Sequence, residues 1–124
     1  MADAYRDLIA WRKATDLARE IYRATQKSPK DELYGLTSQM RRAAVSVASN
    51  IAEGKGRYSR KEFAQFLYRA RGSLLELETQ LFIAKELHYL EPLVFRRMED
   101  RTKELGRILN GLVNSILEGI NVVA

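Results

Sequence analysis

Four stretches of the chain repeat apolar residues at three- and four-residue steps, and only short polar segments separate them. That periodicity, with no bounded run of strand-like alternation, implies amphipathic helices whose apolar stripes must be covered. In the first, over about residues 7–25, Leu8, Trp11, Ala14, Leu17, Ala18, Ile21 and Tyr22 make one stripe. Ser28-Pro29-Lys30-Asp31 then breaks the helix, because proline lacks an amide proton and disfavours helix at the residue before it.

The second stretch, about 36–53, places Leu36, Met40, Ala43, Val47 and Ile51 on one face. Ala43, Ala44, Ala48 and Ala52 allow close helix approach, and Gly54-Lys55-Gly56 predicts a glycine C-cap. Ser59-Arg60-Lys61-Glu62 reads as a capping box, in which the serine hydroxyl and the glutamate side chain satisfy free amides at a helix start. The third helix then runs over about residues 60–88 through Phe63, Phe66, Leu67, Ala70, Leu74, Leu77, Leu81, Ala84 and Leu87. At 1.5 Å per residue it is roughly 42 Å long. The fourth, about 92–118, opens on Pro92, a favoured first-turn residue, and carries Phe95, Met98, Leu105, Leu109, Leu112 and Ile116 before Gly119.

Long amphipathic helices with short connections pack as antiparallel neighbours. The expected fold is therefore all-α: one antiparallel up-down four-helix bundle, a single domain over 1–124. A chain of 124 residues that is 46% hydrophobic can fill one core, and no Ser/Gly-rich linker or internal repeat marks a second domain. Met1 to Asp7 is charged and lacks the apolar core of a signal peptide, and no run approaches the ~20 apolar residues of a membrane span. The absence of cysteine removes disulfides, a thiol nucleophile and thiolate metal sites. These features predict a cytoplasmic protein with no membrane partner.

The charge is localised. Between Gly54 and Gly72 stand Lys55, Arg57, Arg60, Lys61, Arg69 and Arg71 against the single acid Glu62, whereas the rest of the chain is balanced. Such an excess fits a surface that meets phosphates or an acidic protein partner. It equally fits a solvated face that keeps the protein in solution. Around the helix start at Ser59, exposed amides with partial positive charge add to Arg57, Arg60 and Lys61, a setting in which an anion could dock. Tyr58 and Tyr68 lie in the same segment and could stack on bases, whereas Trp11 and Tyr22 read as core or boundary residues.

A second pattern is polar. Gln39, Arg42, Ser46, Asn50 and Glu53 step by three or four residues beside the apolar face of the second helix, and the third helix offers Arg71, Ser73, Glu76, Glu78 and Gln80. An isolated bundle needs one apolar stripe per helix, so a second ordered stripe predicts another helix, or another subunit, packing there through hydrogen bonds and ion pairs. Solvation of these residues is the alternative.

No catalytic constellation emerges. A di-metal carboxylate bundle needs Glu-x-x-His pairs on two helices, but the one histidine, His88, follows Lys85 by three residues. His88 suits the C-terminal end of a helix dipole. Ser46, Ser49 and Ser73 lack a histidine base nearby in the chain, and Gly54-Lys55-Gly56 lacks the full phosphate-loop pattern. The expectation is a binding protein with no metal, no cofactor and no enzymatic activity.

Three blocks carry a family resemblance: YRDLIAW from Tyr5, PKDELYGLTSQMRRAAVSVASNIAEGKGR from Pro29, and FLYRARGSLLELETQL from Phe66. In their order and separation they resemble the four-helix bundle proteins encoded within intervening sequences of bacterial large-subunit ribosomal RNA genes, a family also labelled ribosomal. The resemblance implies an up-down bundle that assembles into a ring-like homopentamer without known enzymatic activity. A similar fold is implied for the accessory proteins of diversity-generating retroelements, basic pentamers that bind nucleic acid and a reverse transcriptase. By position, the family's marked residues fall on Gln39, Arg42, Ser46, Asn50, Glu53, Gly54, Arg71, Gly72, Ser73 and Glu76. Gly72 stands mid-helix, where glycine costs about 1 kcal/mol relative to alanine, which close approach of another backbone would compensate.

Together these features predict a homo-oligomeric basic module associated with RNA or DNA. Lys55, Arg57, Arg60, Lys61 and Arg69 would meet phosphates, and the polar stripe would order the subunits. A protein-interaction scaffold that binds no nucleic acid is the alternative.

Overall fold

The computed structural model describes residues 4–123; Met1–Asp3, the start of the charged N-terminal stretch, and Ala124 lie outside the described residues. Four helices account for the fold: α1 (Ile9–Ala24), α2 (Leu36–Lys55), α3 (Arg60–Glu86) and α4 (Pro92–Val123). Short 3-10 turns at Ala4–Asp7 and Lys30–Glu32 precede α1 and α2, and no strand occurs among the described residues.

Each helix packs against its neighbours in sequence, and α1 also packs against α4, whereas α1 and α3 do not meet. That is an up-down square in which the core lies along the central axis. The periodic residues fill it: Leu17 and Ile21 from α1, Met40, Val47 and Ile51 from α2, Leu67, Leu77 and Leu81 from α3, and Met98, Leu105 and Leu109 from α4 are fully buried. Each such side chain contributes roughly 1.5–3 kcal/mol on leaving water. Thr102 occupies the same stripe between Met98 and Leu105, and its hydroxyl donates to the Glu99 carbonyl at 2.8 Å, so a polar atom is tolerated in the core.

The α2–α3 pair has the most extensive contact, and small residues are buried on both helices: Ala43, Ala44 and Ala48 on one, Ala64 and Ala70 on the other. Gly54 completes this small-residue seam. A Cβ there would lie 2.6 Å from Cβ of Phe66 and 3.3 Å from the Phe63 carbonyl oxygen. The glycine C-cap expected at Gly54-Lys55-Gly56 takes a different form: α2 continues through Lys55, and Gly56 caps it in a right-handed conformation at φ −79°. Gly54 is needed for proximity and not for backbone freedom.

Ser59 caps α3 as expected, its Oγ accepting from the Glu62 amide at 3.1 Å. At the other end α3 stops at Glu86, and Leu87, expected on the core face, is exposed. The reason is a chain reversal. His88 turns left-handed at φ 62°, its amide donates to the Lys85 carbonyl, and the Tyr89 amide donates to the Ala84 carbonyl at 2.9 Å. Those paired bonds satisfy the last carbonyls of α3 and redirect the chain before Leu87 can reach the core. Helix α4 runs past Gly119 to Val123, longer than its apolar pattern predicted.

Among the described residues, no helix is both long and apolar enough to cross a membrane.

Candidate functional site

Two surfaces carry the residues singled out by charge and polarity, one at the α2–α3 turn and one along the α2–α3 groove. At the turn, the close approach permitted by Gly54 brings Phe63 and Phe66 against α2, and these rings hold the basic side chains. The Lys55 ammonium lies 5.7 Å from the centre of the Phe63 ring. The guanidinium groups of Arg57 and Arg69 each lie 4.7 Å from the centre of the Phe66 ring. Such contacts contribute about 0.5–1 kcal/mol each at exposed sites and leave the positive charge unneutralised. The phenylalanines therefore position the cations, a role that the apolar periodicity concealed.

None of Lys55, Arg57, Arg60, Lys61 and Arg69 forms an ion pair. The acids nearest in sequence, Glu53 and Glu62, are exposed and form no ion pair with these cations. Arg57 and Arg60 do not close around the start of α3. Arg57 is drawn to Phe66, and the Arg60 guanidinium lies against Gly119 of α4, so the patch spreads over the end of the bundle. Tyr58 projects fully into solvent beside it.

Along the bundle, Gln39, Arg42, Ala43, Ser46, Ser73 and Glu76 line an open groove of about 310 Å³ between α2 and α3. Ser46 and Ser73 hydrogen-bond across its floor at 2.9 Å, and Asn50 Nδ2 donates to the Ser46 carbonyl at 2.9 Å and to its hydroxyl at 3.1 Å. These short side chains tie the two helices together. Arg42 and Glu76 face the same groove, yet form no ion pair. Glu53 is exposed one turn beyond Asn50.

Three of the positions singled out, Arg71, Gly72 and Glu78, lie elsewhere, Glu78 in a groove against α4 with Phe95 and Glu99. Arg71 points to α4, where Nη1 donates to Asn110 Oδ1 at 2.9 Å, while its guanidinium covers the Tyr68 ring at 5.0 Å. Gly72 is exposed, and a Cβ on it would meet nothing within 4 Å. The chain's own packing gives this mid-helix glycine no compensation.

On its outer face α3 presents an exposed apolar seam. Tyr68, Leu75 and Phe82 are 42%, 58% and 52% exposed and recur every seven residues, with Gly72 and Thr79 between them. A seven-residue repeat on the outside of a helix is the spacing of a packing seam. The signal was present in the sequence, but the stronger core stripe on the same helix obscured it.

Tyr22 is a boundary residue under the Arg41 guanidinium, 4.6 Å from its ring centre, and Trp11 is partly buried edge-on to Tyr5. Among the described residues, no group of three or more His, Cys, Asp or Glu side chains is placed to hold a metal.

A solved structure of similar architecture is a protein of unknown function from the S23 ribosomal protein family of Bacteroides thetaiotaomicron. It superposes with a TM-score of 0.79 at 19% sequence identity, covering 85% of this chain and 98% of that one. At that identity the likeness shows the fold. No curated protein matches the chain significantly. The family described as 23S rRNA-intervening sequence protein matches residues 6–111, nearly the whole bundle and both surfaces described above. The chain is thus a member of the 23S rRNA-intervening sequence protein family.

Proposed function

We propose that the protein is a homo-oligomeric, RNA-associated binding module of the cytoplasm and not an enzyme, with five subunits as the family resemblance implies. The observation that carries the RNA reading is the set of five cations, Lys55, Arg57, Arg60, Lys61 and Arg69, gathered at one end of the bundle with no carboxylate partner. Phosphates would supply the missing counter-charge, and Tyr58 gives an unstacked ring beside them. Binding of this kind releases counterions, depends weakly on sequence and falls steeply with salt.

Self-association is supported by the α2–α3 face. Arg42 and Glu76 face one groove without pairing, Glu76 Oε1 accepting only from Gln80 Nε2 at 3.2 Å, and the outer face of α3 carries the exposed seam of Tyr68, Leu75 and Phe82. A second copy packed there would cover the apolar seam and pair the charges, with Gly72 admitting its backbone.

The test is RNA binding by Arg57→Ala/Arg60→Ala/Lys61→Ala, compared with the unsubstituted protein over a salt series. Affinity is expected to fall while the mass of the assembly, read by light scattering, stays constant. Unchanged affinity removes the RNA assignment and leaves the protein scaffold, in which the same cations meet an acidic protein. A monomer at every concentration removes the self-association.

A further inference from the structure

At the end of the bundle opposite the α2–α3 turn lies a cleft of about 630 Å³, bounded by Arg23, Ala24 and Lys27 from the end of α1, His88 to Glu91 from the α3–α4 turn, and Pro92, Val94 and Arg97 from the start of α4. Its size falls within the range of small-molecule sites. Three basic side chains, Arg23, Lys27 and Arg97, line it together with the His88 imidazole, and none has a side-chain hydrogen-bond, ion-pair or ring partner. Glu91 is the one acid lining it. Arg97 also borders a neighbouring groove with Asp100 and Glu104, but pairs with neither. The cleft is therefore a concave surface with excess positive charge and an apolar side made by Ala24, Leu90, Pro92 and Val94.

The backbone at His88 adds a second, independent observation. The residue occupies the left-handed position after a helix, where glycine is normal because a Cβ there is strained. His88 is the one described non-glycine residue with positive φ. A side chain kept where glycine would be cheaper, and directed into a cationic cleft, fits a binding role for that side chain.

We propose that this cleft binds a phosphate monoester of mononucleotide size. Arg23, Lys27 and Arg97 would hold the phosphoryl oxygens, His88 would add a hydrogen bond, and the organic part would lie on Leu90, Pro92 and Val94. The amides at the start of α4 reinforce the preference for an anion without creating it. A short concave cleft whose cations stand on three separate segments, with Glu91 at its edge, suits a compact anion better than an extended strand. The site is separate from the RNA surface proposed above and stands or falls independently of it.

The experiment is isothermal titration calorimetry of the full chain at low salt with adenosine 5′-monophosphate, inorganic phosphate, adenosine and a short RNA. The monoester is expected to bind saturably and at least threefold tighter than inorganic phosphate, and adenosine to give no saturable heat. Arg23→Gln/Arg97→Gln should weaken the monoester at least tenfold, whereas Arg12→Gln/Arg19→Gln, an equal charge change on ion-paired residues, should leave it unchanged. His88→Gly serves as a second variant expected to keep the fold, since it relieves the left-handed strain. It should weaken the monoester about threefold while raising the melting temperature. No saturable binding of the monoester, equal affinity for inorganic phosphate, equal loss in both arginine pairs, or loss of RNA binding alone in Arg23→Gln/Arg97→Gln would each overturn the assignment.

Discussion

The Tyr89 hydroxyl donates a hydrogen bond to Glu32 Oε2 at 3.0 Å, joining the α1–α2 and α3–α4 connections across 57 residues of sequence. The other carboxylate oxygen, Oε1, accepts from the Leu36 amide at 3.2 Å, so one glutamate also satisfies the start of α2. Gly35 makes room for it, because a Cβ there would lie 2.6 Å from that oxygen. Glu32 thereby ties the two connections at one end of the bundle to each other and to the start of α2.

This pair predicts a pH dependence. The hydrogen bond to Glu32, burial and the negative charges of Glu32 and Asp31 all favour the neutral phenol and raise its pKa above the ordinary value. A group whose folded pKa is raised adds stability that is complete below the unfolded pKa, about 10 for tyrosine, and that disappears as pH rises through the folded value. Tyr89→Phe should therefore melt below the unsubstituted protein at pH 7 to 9, and the gap should close above pH 10. A gap that stays constant from pH 7 to well above pH 10 would show that the hydrogen bond contributes nothing to it. Thermal melts at matched ionic strength supply the measurement.

Two glycines on facing helices should respond oppositely to alanine. Gly54→Ala forces a methyl group into Phe66 and the Phe63 carbonyl and should cost about 1–3 kcal/mol of stability. Gly72→Ala meets open space and should stabilise the dissociated chain by about 1 kcal/mol through helix propensity. If a second copy packs over Gly72, the same substitution should also weaken assembly. Urea unfolding of dilute protein and sedimentation at high concentration separate the two effects.

At His88 the strain has a measurable size. Replacing it with glycine should raise stability by about 1 kcal/mol, in line with the cost of holding a residue with a Cβ in the left-handed region. A loss of stability would mean that the imidazole supports the turn.

The start of α3 rests on Ser59, whose hydroxyl accepts from the Glu62 amide. Ser59→Ala should cost about 0.5–2 kcal/mol, whereas Ser59→Asp should retain the cap. Because the basic patch surrounds this turn, hydrogen exchange of the Arg60–Phe63 amides would show whether fraying there accompanies a loss of RNA affinity.

For the proposed RNA surface the salt response is quantitative. A single strand contributes a slope of about −0.7 per neutralised phosphate in log affinity against log salt. Removing Arg57, Arg60 and Lys61 together should therefore flatten that slope by about 2. A slope that does not change would place the contacts elsewhere on the chain.

The sequence by itself determined the helical class, the up-down connectivity and most of the core, because the apolar stripes recur at the helical period and a short turn leaves a long amphipathic helix no partner nearer than its neighbour. It also marked Ser59 as a cap and Lys55–Arg69 as an excess of charge. Only the tertiary structure decided what depends on distance between helices. Periodicity assigns a face to a residue but not a neighbour. It therefore could not separate Arg71, which reaches Asn110 on α4, from Ser73, which bonds Ser46 across the groove. It could not show that Phe66 holds two arginines, or that Gly54 serves proximity and not a turn. The cationic cleft was the least legible of all: Arg23, Lys27, His88 and Arg97 come from three separate segments, and only antiparallel packing brings them to one end of the bundle.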